Sequence, residues 1–209
     1  MDKEFDSLIR KAEVGDVKTM LIVADCFNKG LYTEKNDTKA QKYYKMAADK
    51  GDPKASFMTA LGYLFGTGTK KNKIKAWLYM QFAAEKGVAD AQYSLGELYK
   101  IGEMGVIFKK QRALQYLEMA SKQGHAKAQI ALGDLNIQTK GRHDCTIENG
   151  VFWIVCAFLH GNSAEEESRE AKIRLDILVE RGLVGGEDYI NNMINYIKRD
   201  YPTYTKNPK

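Results

Sequence analysis

Small and apolar residues recur along the chain with the spacing of an amphipathic helix. In four segments they stand at offsets 0, 3, 4, 7 and 8 from a first small residue. The first segment has Ala40, Tyr43, Tyr44, Ala47 and Ala48 at these positions. The same offsets begin again at Ala76, Ala113 and Gly150. A period near 3.6 residues places such positions on one face of a helix, so the pattern predicts four helices with one apolar stripe each.

Glycines recur at almost the same separation and divide the chain into units. Gly15, Gly51, Gly87, Gly124 and Gly161 are 36, 36, 37 and 37 residues apart. Glycine adopts the left-handed backbone conformation at little cost and commonly follows the last turn of a helix. We therefore predict a helix end at each of these positions and a repeating unit of two helices.

The first helix of each unit has its own set of recurring positions, which we call its frame. In the third unit one of these positions is a glycine inside the helix. In the third unit the frame is Ala91, Leu95, Gly96, Tyr99 and Gly102. Glycine inside a helix costs roughly 0.5–1 kcal/mol relative to alanine. The other units also have a small residue there, namely Ala24, Ala60 and Gly133. We predict that this position lets the neighbouring helix approach closely, so that Gly96 is a packing residue.

The combined frame, A-x-x-x-L-G-x-x-Y-x-x-G followed by A-x-x-Y-x-x-x-A-x-x-x-G, resembles the Sel-one-like repeat (SLR) family, which is related to tetratricopeptide repeats. The segment 91–124 matches this frame best. The resemblance implies an all-α, right-handed solenoid of antiparallel helix pairs. It weakens near Gly141, where the tyrosine and the terminal glycine of the fourth unit are missing, and a fifth unit keeps only Ala171 and Leu175.

Four segments are expected from this frame. Residues 1–15 form an N-terminal half-repeat or capping helix, and residues 16–161 form four repeats. Residues 162–184 form the degenerate fifth repeat, and residues 185–209 form a C-terminal capping helix and tail. Polar, atypical ends suit a repeat protein because each terminal unit has one uncovered face.

The resemblance also implies a binding surface, since the first helices line the concave face in tetratricopeptide relatives. Residues opposite the packing face should then face a partner groove. They are Leu21, Asp25, Asn28, Phe57, Leu61, Leu64, Tyr93, Glu97, Lys100, Ile130, Asp134 and Ile137. The alternative for Leu21, Phe57, Tyr93 and Ile130 is a half-buried core position. Leu61 and Leu64 beside Phe57 would instead leave an apolar patch exposed without a partner.

Basic residues cluster between the first and second helices of the units. The net charge of +5 is expected to concentrate along this edge, at Lys70, Lys71, Lys73, Lys109, Lys110 and Arg112. Such an edge suits an anionic membrane, a nucleic acid or an acidic protein. Solvated loops are the commoner explanation, and few aromatic residues are interleaved with the lysines. We therefore expect neither nucleic acid nor membrane as the partner.

The sequence offers no organised catalytic or metal-binding constellation. The segment FGTGTKKN (65–72) lacks the spacing of a phosphate-binding loop, and His143 and Cys145 are too close in sequence to supply triad geometry. The spacing of the three cysteines does not suggest a disulfide bond. Cys26 and Cys156 are therefore expected to be buried apolar residues. We expect no catalytic residue, cofactor or metal.

These observations favour a non-enzymatic adaptor or scaffold that binds another protein on its concave face. A narrower hypothesis, from the family resemblance, is an immunity protein that neutralises a toxin. The alternatives are a hydrolase, as linked to some secreted Sel-one-like repeat proteins, and a binder of anionic membrane or nucleic acid. The N-terminus has no apolar signal-peptide core, and no apolar run reaches the length of a membrane span, so a bacterial-type cytoplasm is the expected location.

Overall fold

The chain folds into α-helices over the residues that the computed structural model describes, which are 3–102, 110–138, 146–160 and 166–205. Eleven α-helices and no strand occur in these ranges, which confirms the all-α prediction. They are α1 (Lys3–Glu13), α2 (Val17–Lys29), α3 (Asp37–Asp49), α4 (Pro53–Phe65), α5 (Lys73–Glu85), α6 (Ala89–Ile101), α7 (Lys110–Lys122), α8 (Ala126–Gln138), α9 (Ile147–His160), α10 (Glu166–Glu180) and α11 (Gly186–Asp200). A short 3-10 turn, Pro202–Thr205, follows α11.

The recurring glycines end helices as predicted. The φ angles of Gly15, Gly51, Gly87 and Gly124 are 110°, 90°, 90° and 82°, which lie in the region that other residues rarely adopt. Gly161 lies outside the described residues. The beginnings of helices are fixed by side chains: the Asn36 side chain accepts a hydrogen bond from the N–H of Lys39, and Asn72 does the same for Lys75.

The first compact unit, residues 1–91, contains α1 to α5. Its core includes the buried side chains of Phe5, Met20 and Val23. Each helix pair in this unit also contains a stacked aromatic pair. The ring centroids of Phe27 and Tyr43 are 6.0 Å apart, and those of Tyr63 and Tyr79 are also 6.0 Å apart. These pairs join the first helix of a repeat to its second helix.

The second compact unit comprises residues 92–209. Tyr99 of α6 and Tyr116 of α7 form the equivalent aromatic pair, with centroids 5.8 Å apart. The C-terminal segment packs against α9, where the Trp153 ring stacks on Tyr204 at 5.5 Å. Gln129 Nε2 of α8 also donates a hydrogen bond to the backbone oxygen of Tyr204 at 2.9 Å. The segment after α11 therefore helps to close the apolar core of this unit.

The small residue in the first helix lies at a close helix contact. An ideal Cβ placed on Gly96 would be 2.7 Å from Cγ of Leu117 and 3.3 Å from the backbone nitrogen of Leu117. At Gly133 the same atom would be 2.8 Å from the backbone oxygen of Gly150. Real Cβ atoms do not come this near other atoms, so the interpretation of Gly96 as a packing residue is confirmed.

We predict that Gly96→Leu lowers the free energy of unfolding by at least about 2 kcal/mol, because the larger side chain overpacks the contact with α7. Denaturant titration measures the change. Gln111→Leu is the control, since Gln111 is exposed on α7 and should change stability by less than about 0.5 kcal/mol. Combining Gly96→Leu with Leu117→Ala should recover part of the loss. Equal effects of Gly96→Leu and the control would contradict the packing role.

Candidate functional site

A cavity of about 230 Å³ opens among three first helices of the second unit, α6, α8 and α10. Its lining includes five of the residues that the sequence predicts for the partner groove. They are Tyr93, Glu97, Lys100, Ile130 and Asp134. Lys127, Ala131, Glu170 and Arg174 complete the lining. The cavity thus combines an aromatic ring with charged groups of both signs.

Ion pairs organise the charged groups around this cavity. Arg174 Nε of α10 donates to both carboxylate oxygens of Asp134 on α8, at 3.0 and 2.9 Å, and its Nη1 lies 2.9 Å from Oε1 of Glu170. Lys100 Nζ lies 2.7 Å from Oε1 of Glu97, one turn away on α6. Burial opposes the charged form of Arg174, but the bonds to Asp134 outweigh it, so the pKa of the guanidinium is raised. Arg174 therefore stays charged and fixes α10 against α8.

Tyr93 provides the aromatic surface of the cavity. Its half-buried ring stacks on His125 with centroids 4.8 Å apart. Burial raises the pKa of the Tyr93 hydroxyl, and the charges of Glu97 and Glu170 add to this effect. The hydroxyl therefore stays protonated at neutral pH and is available as a hydrogen-bond donor.

Two predicted groove positions of α8 differ from the expectation. Ile130 is only 4% exposed, so it forms part of the core and the floor of the cavity rather than an open contact. Ile137 packs against α9, where its Cγ1 lies within 2.4 Å of the place that a Cβ on Gly150 would occupy. The reason is its position one turn after Gly133, which puts both residues on the face that contacts α9.

The predicted groove residues of the first unit are more apolar than those of the second unit. Leu21, Asn28, Phe57, Leu61 and Leu64 are half-buried. Of these, Asn28 and Leu61 line a cavity of about 220 Å³ beside α3.

Asp25 is the charged member of the predicted groove set in the first unit. It is exposed and accepts a hydrogen bond from the hydroxyl of Tyr44. Burial raises the pKa of Tyr44, and the bond to Asp25 raises it further. Asp25 therefore has a structural partner of its own on the second helix.

Sequence reasoning missed the contribution of α10. The fifth repeat keeps Ala171 and Leu175 at frame positions, which aligns Ala171 with Ala91. The same register puts Ile173 and Ile177 at the positions of Tyr93 and Glu97, and both isoleucines are exposed. These two apolar side chains could have been found by carrying the groove frame into the degenerate repeat, whereas Arg174 aligns with Ser94, which is not a groove position.

The predicted basic edge is only partly described. Lys70, Lys71 and Lys73 are exposed in the first unit. In the second unit Lys110 is half-buried and Arg112 is exposed, whereas Lys109 lies outside the described residues.

The described cysteines are poorly suited to nucleophilic chemistry. Cys26 and Cys156 are buried and free, as expected. Burial raises the pKa of the Cys156 thiol to about 12, and it also raises the pKa of Cys26. Both sulfurs therefore stay protonated at neutral pH. His143 and Cys145 lie outside the described residues.

The described ranges also lack two other kinds of site. They contain no cluster of three or more His, Cys, Asp or Glu residues suited to a metal ion. None of their helices combines the length and the apolar character needed to span a membrane.

The family follows from the repeats. The Sel1 repeat pattern matches residues 18–52, 55–88 and 89–125. The chain belongs to the Sel1 repeat family. The three matched Sel1 repeats pair α2 with α3, α4 with α5 and α6 with α7. No curated protein is significantly similar to the chain in sequence.

Solved Sel1 repeat structures share the fold. The crystal structure of c5321, a protective antigen present in uropathogenic Escherichia coli strains and displaying an SLR fold, matches with a TM-score of 0.75 and 22% identity. That match covers 91% of this chain but 38% of c5321, so the chain spans well under half of that protein. A Sel1 repeat protein from Oxalobacter formigenes matches with a TM-score of 0.70 and 25% identity, over 88% of this chain and 72% of that one.

A third similar structure is immunity protein Pa5087 from Pseudomonas aeruginosa. It matches over 96% of this chain and 84% of its own length, with 19% identity and a TM-score of 0.48. A likeness at that level does not support a comparison of function.

We predict that Arg174→Ala lowers the free energy of unfolding by about 1 kcal/mol, because it removes the ion pair between Arg174 Nε of α10 and the Asp134 carboxylate of α8. Thermal or denaturant unfolding measures the change. Arg199→Ala is the matched control: Arg199 also bonds a carboxylate, Asp200, but its side chain is 75% exposed against 29% for Arg174. An effect of Arg174→Ala no larger than that of Arg199→Ala would show that the ion pair does not stabilise the groove.

Proposed function

We propose that the chain is a protein-binding module that holds its partner on the groove face of α6, α8 and α10. The Sel1 repeat fold is typical of protein–protein interaction, and the family is generally a non-enzymatic scaffold. The residues that select the partner are, in this proposal, Tyr93, Glu97, Asp134 and Arg174, with Ile173 and Ile177 as apolar contacts.

One observation carries this proposal. A half-buried tyrosine, two exposed isoleucines and a network of ion pairs lie on successive first helices of one compact unit. Interfaces concentrate binding energy in aromatic and arginine side chains that are surrounded by polar groups. Arg174 and Tyr93 are of these types, and bonds within the chain already hold Arg174 in place, which lowers the entropy cost of binding.

The partner is a folded protein or a peptide segment with both apolar and charged groups. Glu97, Asp134 and Glu170 face the cavity together with Lys100, Lys127 and Arg174. A partner of one sign of charge would meet repulsion from half of these groups. The narrower hypothesis is that the partner is a toxin that the chain neutralises. Affinity capture of the partner, described next, also tests this hypothesis.

We predict that Tyr93→Ala weakens partner binding by at least about 1–2 kcal/mol, because it removes the aromatic anchor of the groove. Affinity capture with the wild-type chain from its native cells identifies the partner by mass spectrometry, and calorimetry then measures the affinity of each variant. Leu61→Asp tests the apolar groove positions of the first unit in the same way.

Met119→Ala is the control, since Met119 is exposed on α7, a second helix. It should leave the affinity unchanged, and the helicity of all variants should match that of the wild type. Unchanged affinity in Tyr93→Ala would contradict the proposed site, and a loss confined to Leu61→Asp would place the site in the first unit.

A further inference from the structure

Two loops of the first unit lie side by side. One, residues 30–36, joins α2 to α3, and the other, residues 66–72, joins α4 to α5. Each loop ends at an asparagine, Asn36 or Asn72, whose N–H donates to a carbonyl near the end of the preceding helix at 2.8 Å. The loops meet where Gly68 packs on the start of α3: a Cβ at Gly68 would fall 2.0 Å from the backbone oxygen of Asp37. They therefore form one continuous surface.

The two loops and the helix ends beside them carry a net positive charge. Residues 29–39 and 65–75 contain seven lysines and two carboxylates, a difference equal to the net charge of +5 of the full sequence. Lys39 and Lys75 extend over aromatic rings at 5.1 and 5.4 Å from the centroids. The exposed lysines Lys70, Lys71 and Lys73 are concentrated in the second loop and the residue that follows it.

Large apolar side chains are exposed on the first loop and on the helix ends that flank the second. They are Leu31, Tyr32, Phe65 and Ile74, of which Tyr32 is 71% and Ile74 is 75% exposed. Tyr32 has a φ of 61°, a left-handed conformation that is unfavourable for tyrosine, and it directs the ring to solvent. We call these four residues, together with Lys70, Lys71 and Lys73, the lysine patch.

We propose that the lysine patch docks the first unit on an anionic lipid surface. Lysines beside exposed apolar side chains match a bilayer interface, where amines meet anionic headgroups and apolar groups enter the acyl boundary. A nucleic acid could stack on the exposed rings of Tyr32 and Phe65 but would leave the aliphatic Leu31 and Ile74 uncovered, whereas all four side chains suit a bilayer interface. The lysine patch belongs to the first unit and the groove residues to the second, so this proposal does not rest on the proposed function.

Vesicle flotation tests the proposal with the full chain. We expect the chain to float with vesicles of phosphatidylcholine and phosphatidylglycerol in equal parts, and not with phosphatidylcholine alone. The triple variant Lys70→Glu, Lys71→Glu and Lys73→Glu should reduce the bound fraction at least about tenfold, since each lysine near the surface contributes to the attraction. The matched control reverses three other exposed lysines of the first unit, Lys11, Lys18 and Lys54, and should bind as the wild type does.

A second variant tests the apolar contribution. Phe65→Ser combined with Ile74→Ser should reduce binding at raised salt, where the electrostatic attraction is screened and insertion of apolar groups dominates. Val14→Ser, at an exposed position between α1 and α2, is its control. The proposal is overturned by an absence of binding to the anionic vesicles, by equal effects of the two triple variants, or by unchanged binding in the double serine variant. Binding of a labelled oligonucleotide without binding of vesicles would also overturn it.

Discussion

The two helices of each repeat lie very close together, and the packing of the whole fold depends on this close approach. It requires a small residue where the first helix meets the second, which is Ala24, Ala60, Gly96 or Gly133 in successive repeats. Ala24 and Ala60 are fully buried, and the space at Gly96 is too small for any larger side chain. In the first three repeats the aromatic residue one turn later, Phe27, Tyr63 or Tyr99, stacks on a tyrosine of the second helix. Glycine's cost in the helix is offset by the packing that it permits.

This close approach constrains one face of each first helix and leaves the opposite face free to vary. The position shared by Asp25, Leu61, Glu97 and Asp134 shows this freedom, since it holds acidic and apolar side chains in different repeats. Asp25 is bonded to a tyrosine of the second helix, whereas Asp134 is bonded to Arg174 of the next first helix. Repeat proteins of this kind keep their fold through the packing face and differ in what they bind through the other.

Periodic features were predictable from the sequence because they repeat. The helix ends at Gly51 and Gly87, the packing role of Gly96 and the convergence of Tyr93 with Asp134 all follow from one frame. Features outside the frame were not predictable from the sequence. Arg174 belongs to the degenerate repeat, and its bond to Asp134 joins residues 40 positions apart.

Other differences between the predictions and the structure also have local physical reasons. Ile137 follows Gly133 by one turn and so turns towards α9, although the frame assigns it to the groove. The exposed Tyr32 lies in the loop after α2 and the exposed Ile74 in the first turn of α5, and the periodic pattern does not cover either position. Position within the fold, rather than residue type, decides these cases.

Site-specific photo-crosslinking in the native cell shows which face of the repeats contacts the partner. Benzoylphenylalanine would replace Tyr93 or Ile173 on the groove face, and Met119 on the second helix α7. We expect the same protein partner to be crosslinked from Tyr93 and from Ile173, and no partner to be crosslinked from Met119. Crosslinking of the partner through Met119, with none through Tyr93 or Ile173, would contradict this expectation.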